Sequence, residues 1–409
     1  MNSRPDNTGS DKGHQNEAQG AAGAAHRTAP HEIHIGLMSG TSMDGVDGVL
    51  MTFDDQGRPQ HTLATASLPM PDGLRSRLAG LQHPGHDELA RAALAANELA
   101  DLYADCVAAL LDDSGIEAHL VRSIGAHGQT IRHAPADGYS LQILNGARLA
   151  ARTGIDVVAD LRSADIAAGG QGAPLMPAFH AHVFQDLPAR CGILNLGGIA
   201  NLSVIDNSSS PAKVIGFDTG PANVLLDGWI ERHQQLRYDH DGAWAASGTV
   251  IPALLARLLG EPWFALPAPK STGRDLFHLG WLDAHLAKLS SGSTGASASA
   301  APEDVQATLL ALTVETTAAA IRAHRLDAVY VCGGGALNRH LMQQLQQAIG
   351  PATPVRSTQE LGIAPLAVEA SGFAWLAWQR IHQRPVALMQ ITGARHDTIS
   401  GALHLAPPR

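Results

Sequence analysis

GLMSGTSMDGVD, Gly36 to Asp47, decides the reading of this chain. Ile33 to Met38 reads as a buried strand, with apolar residues at Ile33, Ile35, Leu37 and Met38. Ser39, Gly40, Thr41 and Ser42 then make a turn of small residues with hydroxyls and unobstructed backbone N–H groups. Met43, Asp44, Gly45 and Asp47 follow as the apolar pattern resumes from Val46 to Phe53, so the unit is strand, turn, strand. Such a turn can cradle a polyphosphate: glycine lets the backbone approach, amides and hydroxyls donate, and carboxylates hold a divalent cation. It is not a Walker loop, because no GxxxxGK[ST] occurs and the turn opens into a strand. The same residues also suit an ordinary hairpin. This stretch alone does not choose.

A second copy chooses. His61 to Pro69 reads as a third strand after the first hairpin. Far downstream, Cys191 to Leu196 is a strand and Gly197-Gly198-Ile199-Ala200-Asn201 a tight turn. Leu202 to Asp206 and Lys213 to Phe217 are two further strands, ending at Asp218. Two meanders of one design imply an α/β protein of two duplicated domains, with the ligand in the cleft between them. Between the copies, Asp87 to Asp112 has helical periodicity and Leu120 to Gly125 is a strand running into a loop at His127-Gly128-Gln129-Thr130. Ile155 to Ala159 is a strand leading to Asp160, Arg162, Asp165 and the small-residue run AAGGQGAP. Later, Ala328 to Val331 enters a third glycine turn, Gly333-Gly334-Gly335 to Asn338, and Pro365 to Ile381 is a helix carrying Glu369.

Composition narrows the function. The chain has 409 residues, 45% hydrophobic and 16% charged, enough for a large core and two domains. A net charge of −10 argues against nucleic acid as partner but not against phosphates held by amides and metal. Three scattered cysteines, with no CxxC, speak against a disulfide framework or zinc site and for a reducing cytoplasm. Residues 1–30 lack the apolar core of a signal peptide and read as a disordered extension; no apolar run is long enough to span a membrane. The 21 histidines are scattered, and Ser290 to Pro302 reads as a low-complexity loop.

Asp218 is the candidate catalytic base, at a strand end before Thr219-Gly220-Pro221 and an expected helix start. The competing reading is a helix cap, a task Thr219 could equally fill. Gly197, Gly198 and Asn201 form the second phosphate turn, and Gly333 to Asn338 the adenosine side. The His127–Thr130 and Asp160–Asp165 loops then face the acceptor. His127 or His133 is a catalytic candidate, with structural hydrogen bonding as the alternative. Arg162 suits a substrate carboxylate, or else an ion pair with Asp165. Lys270 and Arg274 either touch phosphate or are solvated.

Eight motifs stand in order: MSGTSMDGVD, GAHGQTIRH, DVVAD with AAGGQGAPLMPAFH, NLGGIANLS, GFDTGPANVLLDGW, DGAWAASG, PKSTGRD and CGGGALN. Together they resemble the anhydro-N-acetylmuramic acid kinase family, from about Ile33 to about Trp378. The resemblance implies the actin-like (ribonuclease H-like) fold shared by acetate and sugar kinases, chaperone ATPases and actin. The domains would run over 31–170 and 171–384, with a tail 385–409 packing back on the first. The implied reaction uses ATP and Mg²⁺ to open 1,6-anhydro-N-acetylmuramic acid with water and yield N-acetylmuramic acid 6-phosphate, in peptidoglycan recycling. Asp218 matches the family's catalytic Asp, and Gly40 through Asp47 its ATP segment, with Asp44 and Asp47 holding Mg²⁺ through water. His127, Gln129, Thr130, Arg162 and Glu369 match acceptor-site positions, and a homodimer is implied. The rivals are an ordinary hexose or amino-sugar kinase on the same fold, and a chaperone- or actin-like ATPase, for whose extra domains the chain has no room.

Overall fold

A computed structural model describes residues 31–40, 43–209, 212–291 and 300–408. The extension 1–30, Thr41 and Ser42 of the first turn, and 292–299 of the low-complexity loop lie outside the described residues.

The first half opens with β1 (Glu32–Met38), β2 (Gly45–Phe53) and β3 (Pro59–Pro69), an antiparallel meander. Helix Glu88–Ser114 follows and stops at Gly115, whose φ of 67° makes the left-handed cap that glycine adopts without strain. Next come β4 (Val121–Ala126), a separate hairpin of β5 (Gln129–Ala134) and β6 (Tyr139–Ile143), and β7 (Val157–Ala159). The second half has β8 (Arg190–Leu196), β9 (Ile199–Asp206) and β10 (Lys213–Pro221), then β11 (Ala328–Cys332) and β12 (Val355–Ser357). A last strand, β13 (Ala402–His404), returns to pair with β7 in the first sheet.

The strand orders carry the duplication. The first sheet reads β3-β2-β1-β4-β7 and the second β10-β9-β8-β11-β12. In each, three antiparallel strands come first and two parallel ones follow. That shared plan is the duplicated actin-like α/β fold the sequence implies.

Each sheet buries its outer face under long helices. Ile35, Leu37 and Leu50 meet Leu99, Tyr103 and Val107 of helix Glu88–Ser114. Leu194 and Leu202 meet Leu309, Leu312 and Ile321 of helix Pro302–His324. The inner faces share one core, whose centre is helix Val368–Ile381 with Phe373, Trp375 and Trp378. Gly36 and Gly125 bring this helix's backbone against β1 and β4: an added Cβ would lie 1.8 Å from Ala370 O and 1.9 Å from Phe373 O. On its far side Gly372 admits Met176 of helix Met176–Val183, which in turn lies on the second sheet through Pro177 at Gly216.

Two expectations change. His127–Thr130 is not all loop, because Gln129 already starts β5. β10 does not end at Asp218: its ladder with β9 continues past a bulge to Pro221, and the helix starts at Asn223 with Ala222 in the capping position. Gly220, at φ 147°, carries the strand through that bulge. Neither Asp218 nor Thr219 therefore caps this helix, and the capping alternative for Asp218 falls away.

Gly125→Ala should destabilise the protein by about 3 kcal/mol or more, because backbone rather than a flexible side chain must yield. The control is Gly73→Ala in helix Asp72–Gly80, where the new Cβ meets only the Arg77 guanidinium at 3.6 Å. That change should stabilise by up to ~1 kcal/mol. Thermal melting of both variants checks the contrast.

Candidate active site

The first turn is held from below by the loop that follows β4. Ser39 Oγ donates to Gly128 O (2.9 Å) and lies 3.0 Å from the Tyr103 hydroxyl. Gln129 Nε2 donates to Gly40 O (3.1 Å), and His127 Nδ1 lies 3.1 Å from Ser39 O. Met43 takes the left-handed conformation (φ 55°) and its N–H closes the turn on Gly40 O. Val46 points into the core with no exposure, so only its backbone can serve a ligand. Asp44 is exposed. Asp47 is open to water yet crowded on most sides, as on a cleft wall; that crowding and Asp44 raise its pKa, while a Ser67 hydrogen bond opposes them.

In the second half Gly197 and Gly198 turn their carbonyls to the start of helix Asn223–Gln234. Asn223 N donates to Gly197 O, and Ala222 N and Val224 N donate to Gly198 O, each at 3.0 Å. Gly333 and Gly335 pack against Leu196, which already requires glycine there without any nucleotide. Gly334 faces Asn223 Nδ2. Asn338 caps helix Arg339–Ile349, its Oδ1 accepting from Leu341 N (3.0 Å). Asn201 lies not in the turn but on β9, directly between Asn195 on β8 and Asp218 on β10. Residues opposed across antiparallel strands share a face, so these three side chains form one row.

Asp218 stands at the end of that row. Its N–H donates to Lys270 O (2.9 Å), and its Oδ2 accepts from Thr272 N (2.8 Å). Burial pushes its pKa up to about 6 against that donor. Lys270, half-buried, turns its side chain back onto the protein. Its Nζ donates to Phe264 O (2.8 Å) and Trp263 O (3.3 Å), and sits 4.3 Å from the centre of the Trp263 ring. It pins the loop that pins Asp218.

Arg162 ties the His127 loop to Gly172. Nη1 donates to Gly172 O (2.7 Å) and Nη2 lies 2.9 Å from His127 Nε2, while Nε has no partner. The expected alternative, an ion pair with Asp165, is absent among the described residues. Asp165 instead accepts from Gly172 N and from Thr392 Oγ1 (2.7 Å each). Burial lowers the Arg162 pKa to about 10, opposed by Glu369 and Asp165, so the group stays cationic at neutral pH. Glu369, in the first turn of helix Val368–Ile381, takes a hydrogen bond from the Asn195 amide; burial and Asp47 raise its pKa. Thr130 is tied into the β5–β6 hairpin by Gln142 Nε2 (3.0 Å). His133 pairs with Ser140 in that hairpin, away from the row.

Asn195 and Asp227 were not singled out by the sequence. Asn195 carried a signal, a polar residue inside an otherwise apolar strand. Asp227, in the second turn of its helix, carried none. Its pKa rises to about 7 through burial and then Asp44, with Arg274 opposing.

Asp44 thus raises the pKa of Asp47 and of Asp227, and Asp47 that of Glu369, across the two halves. A hydrated divalent cation among them would relieve that repulsion, so the donor set fits Mg²⁺. Among the described residues no three His, Cys, Asp or Glu side chains converge to chelate a metal directly.

The family model described as Anhydro-N-acetylmuramic acid kinase matches residues 32–406. The chain belongs to the anhydro-N-acetylmuramic acid kinase family. A Bordetella avium protein of that name is 53% identical over 378 residues, 92% of this chain and 97% of the relative. One from Cupriavidus pinatubonensis is 50% identical over 382 residues, 92% of this chain and 99% of the relative. Among solved structures, the activator of the 2-hydroxyisocaproyl-CoA dehydratase from Clostridium difficile with bound ADPNP is 12% identical. Its TM-score is 0.45 over 86% of this chain and 96% of that one, too distant to bear on function. As an anhydro-N-acetylmuramic acid kinase family member the chain is an ATP-dependent phosphotransferase, and the ordinary hexose kinase is not favoured. Among the described residues no single helix is long and apolar enough to cross a membrane.

The geometry around Asp218 makes Lys270 testable. With Asp218 as the base proposed below, Lys270→Met should free the loop, remove the Thr272 donor and move the acid limb of the pH–rate profile up from about 6. Lys270→Arg, which can still donate to both carbonyls and stack on Trp263, should keep the limb in place.

Proposed function

We propose that Asp218 is the general base of a coupled ring opening and phosphoryl transfer. In this reading 1,6-anhydro-N-acetylmuramic acid and ATP meet in the cleft between the two sheets. Water attacks the anomeric carbon and gives its proton to Asp218. The bond from that carbon to the bridging oxygen breaks, and this oxygen takes the γ-phosphoryl group as ADP leaves. The products are N-acetylmuramic acid 6-phosphate and ADP. The observation that carries the assignment is the Asp218 carboxyl: Oδ2 is fixed by Thr272 N–H, Oδ1 accepts no hydrogen bond among the described residues, and the pKa is near 6. A base with that pKa is ionised at neutral pH yet basic enough to accept a proton in the transition state.

The remaining roles follow from chemistry and place. The backbone from Gly40 to Asp47 and the turns at Gly197–Gly198 and Gly333–Gly335 would line the phosphate and adenosine sides. Asn201 and Asn195 would hydrogen-bond ligand atoms beside Asp218. Arg162, a cation without a carboxylate partner, suits the carboxylate of the muramic acid side chain. Asp44 and Asp47 would hold Mg²⁺ through water, which when bound offsets charge on the phosphates. Gln129, Thr130 and Glu369 complete the acceptor wall. ATP use and free cysteines agree with work in the cytoplasm.

In ¹⁸O-water the product should carry one label, at the anomeric oxygen; label in the phosphate instead would mark plain ATP hydrolysis. Asp218→Asn should lower turnover at least ~10³-fold while ATP affinity holds within a few-fold. The same change should raise the melting temperature at pH 7.5. A carboxyl whose pKa is raised on folding costs stability once ionised, about 1–3 kcal/mol for this shift. The gain should shrink as pH falls from 6 towards 4, where the wild-type group is protonated in both states. Turnover near that of the wild type would remove Asp218 from the role.

A further inference from the structure

The His127 side chain is committed at both ring nitrogens. It is 6% exposed, with the Phe373 ring 5.0 Å away, centre to centre. Nε2 faces an Arg162 N–H and so must be the lone-pair acceptor; Nδ1 faces the Ser39 carbonyl and so must carry the hydrogen. One tautomer satisfies both. Protonation would put a second cation against Arg162 in a buried site, and burial with Arg162 lowers the pKa to about 3. His127 therefore cannot exchange protons near neutral pH, and it has no free ring atom for a sugar.

It joins two things that bind different ligands. Above it, Ser39 and Gly40 open the first phosphate turn, and Gln129 Nε2 holds the same turn at Gly40 O. Beside it, Arg162 forms no ion pair, and its Nε is buried without a partner, as is Gln129 Oε1. An anion settling on Arg162 would complete Nε and fix the guanidinium. The fixed guanidinium holds the imidazole, and the imidazole holds the Ser39 carbonyl.

We propose that His127 is a positioning residue that links Arg162 to the first phosphate turn, so that acceptor and nucleotide each tighten the binding of the other. This rests on the reading of Arg162 as the anchor for the acceptor's carboxylate. Linkage of this kind is reciprocal: one factor describes both directions.

Calorimetry with ADP·Mg²⁺ and 1,6-anhydro-N-acetylmuramic acid tests this without turnover. In the wild type, saturating sugar should tighten ADP about 5-fold or more, within the usual range for coupled sites. Two substitutions each preserve one arm. His127→Asn keeps a donor where Nδ1–H stands and loses the acceptor for Arg162. His127→Gln places an acceptor where Nε2 stands and loses the donor to Ser39. Both should bind each ligand singly yet show a ratio near one. A merely structural histidine would lower melting temperature or both affinities and leave the ratio intact, and that result overturns the proposal. So does a ratio near one in the wild type, a measurement that needs no variant. Failure of the wild type to bind the sugar at all would instead strike the substrate reading, and the linkage with it.

Discussion

The close approach of helix Val368–Ile381 to the first sheet is the constraint on which the site depends. The helix follows the second sheet in the chain yet lies on β1 and β4, at a distance only Gly36 and Gly125 permit. Eleven of its fourteen residues are buried, so it is wrapped by protein on all sides, as helices without a polar face are. Its first turn brings Glu369 to Asn195 of the second half and within the field of Asp47 of the first. One turn on, Phe373 supports the His127 ring. At its far end Trp378 stacks on His382, whose Nε2 reaches Glu32 at the start of β1 (2.8 Å). One rigid rod thus fixes residues of both halves relative to one another. A substitution at Gly36 or Gly125 would be felt in the cleft as well as in the core.

Electrostatics in the cleft oppose those elsewhere in the protein. Glu32, paired with His34 and His382, has its pKa lowered to about 2. It contributes stability above its unfolded value that is lost only as pH falls towards 2. Asp47, Asp218, Asp227 and Glu369 are all shifted the other way. Their cost is absent in acid and sets in as pH rises from about 4, through about 6 for Asp218 and about 7 for Asp227. A fold that keeps four such groups gives up stability near neutral pH. Ligands can restore it: a hydrated cation offsets the carboxylates, and an anion offsets Arg162. This makes the empty cleft less stable than the filled one, a common condition for sites that close on their ligands.

Much of this was legible in the sequence. Strand, glycine turn, strand, strand occurs twice because two sheets were built on one plan, and both meanders lie where the apolar pattern puts them. Composition could not show that β10 runs past Asp218, since Thr219-Gly220-Pro221 is as good a helix entry as a bulge. Local propensity favoured the entry, and pairing with β9 overrode it. The β5–β6 hairpin was missed for a similar reason: Gln129, Thr130, Arg132 and His133 are polar, and one face of a small two-strand sheet tolerates that.

Side-chain direction was the larger gap. Lys270, Arg162 and His127 each read as a group able to touch a ligand, and residue type supports nothing finer. Lys270 turns back onto two carbonyls and a tryptophan ring. His127 is enclosed by a backbone carbonyl and a guanidinium. Only Arg162 keeps an unpartnered donor. The difference lies in what surrounds each group three-dimensionally: a buried polar atom is normally satisfied by protein, and one that is not marks where a ligand completes the structure. By that rule Arg162 Nε, Gln129 Oε1 and Asn195 Oδ1, buried without partners, are the atoms through which the acceptor proposed above would bind. His127, between Arg162 and the Ser39 carbonyl, holds the first of them in place.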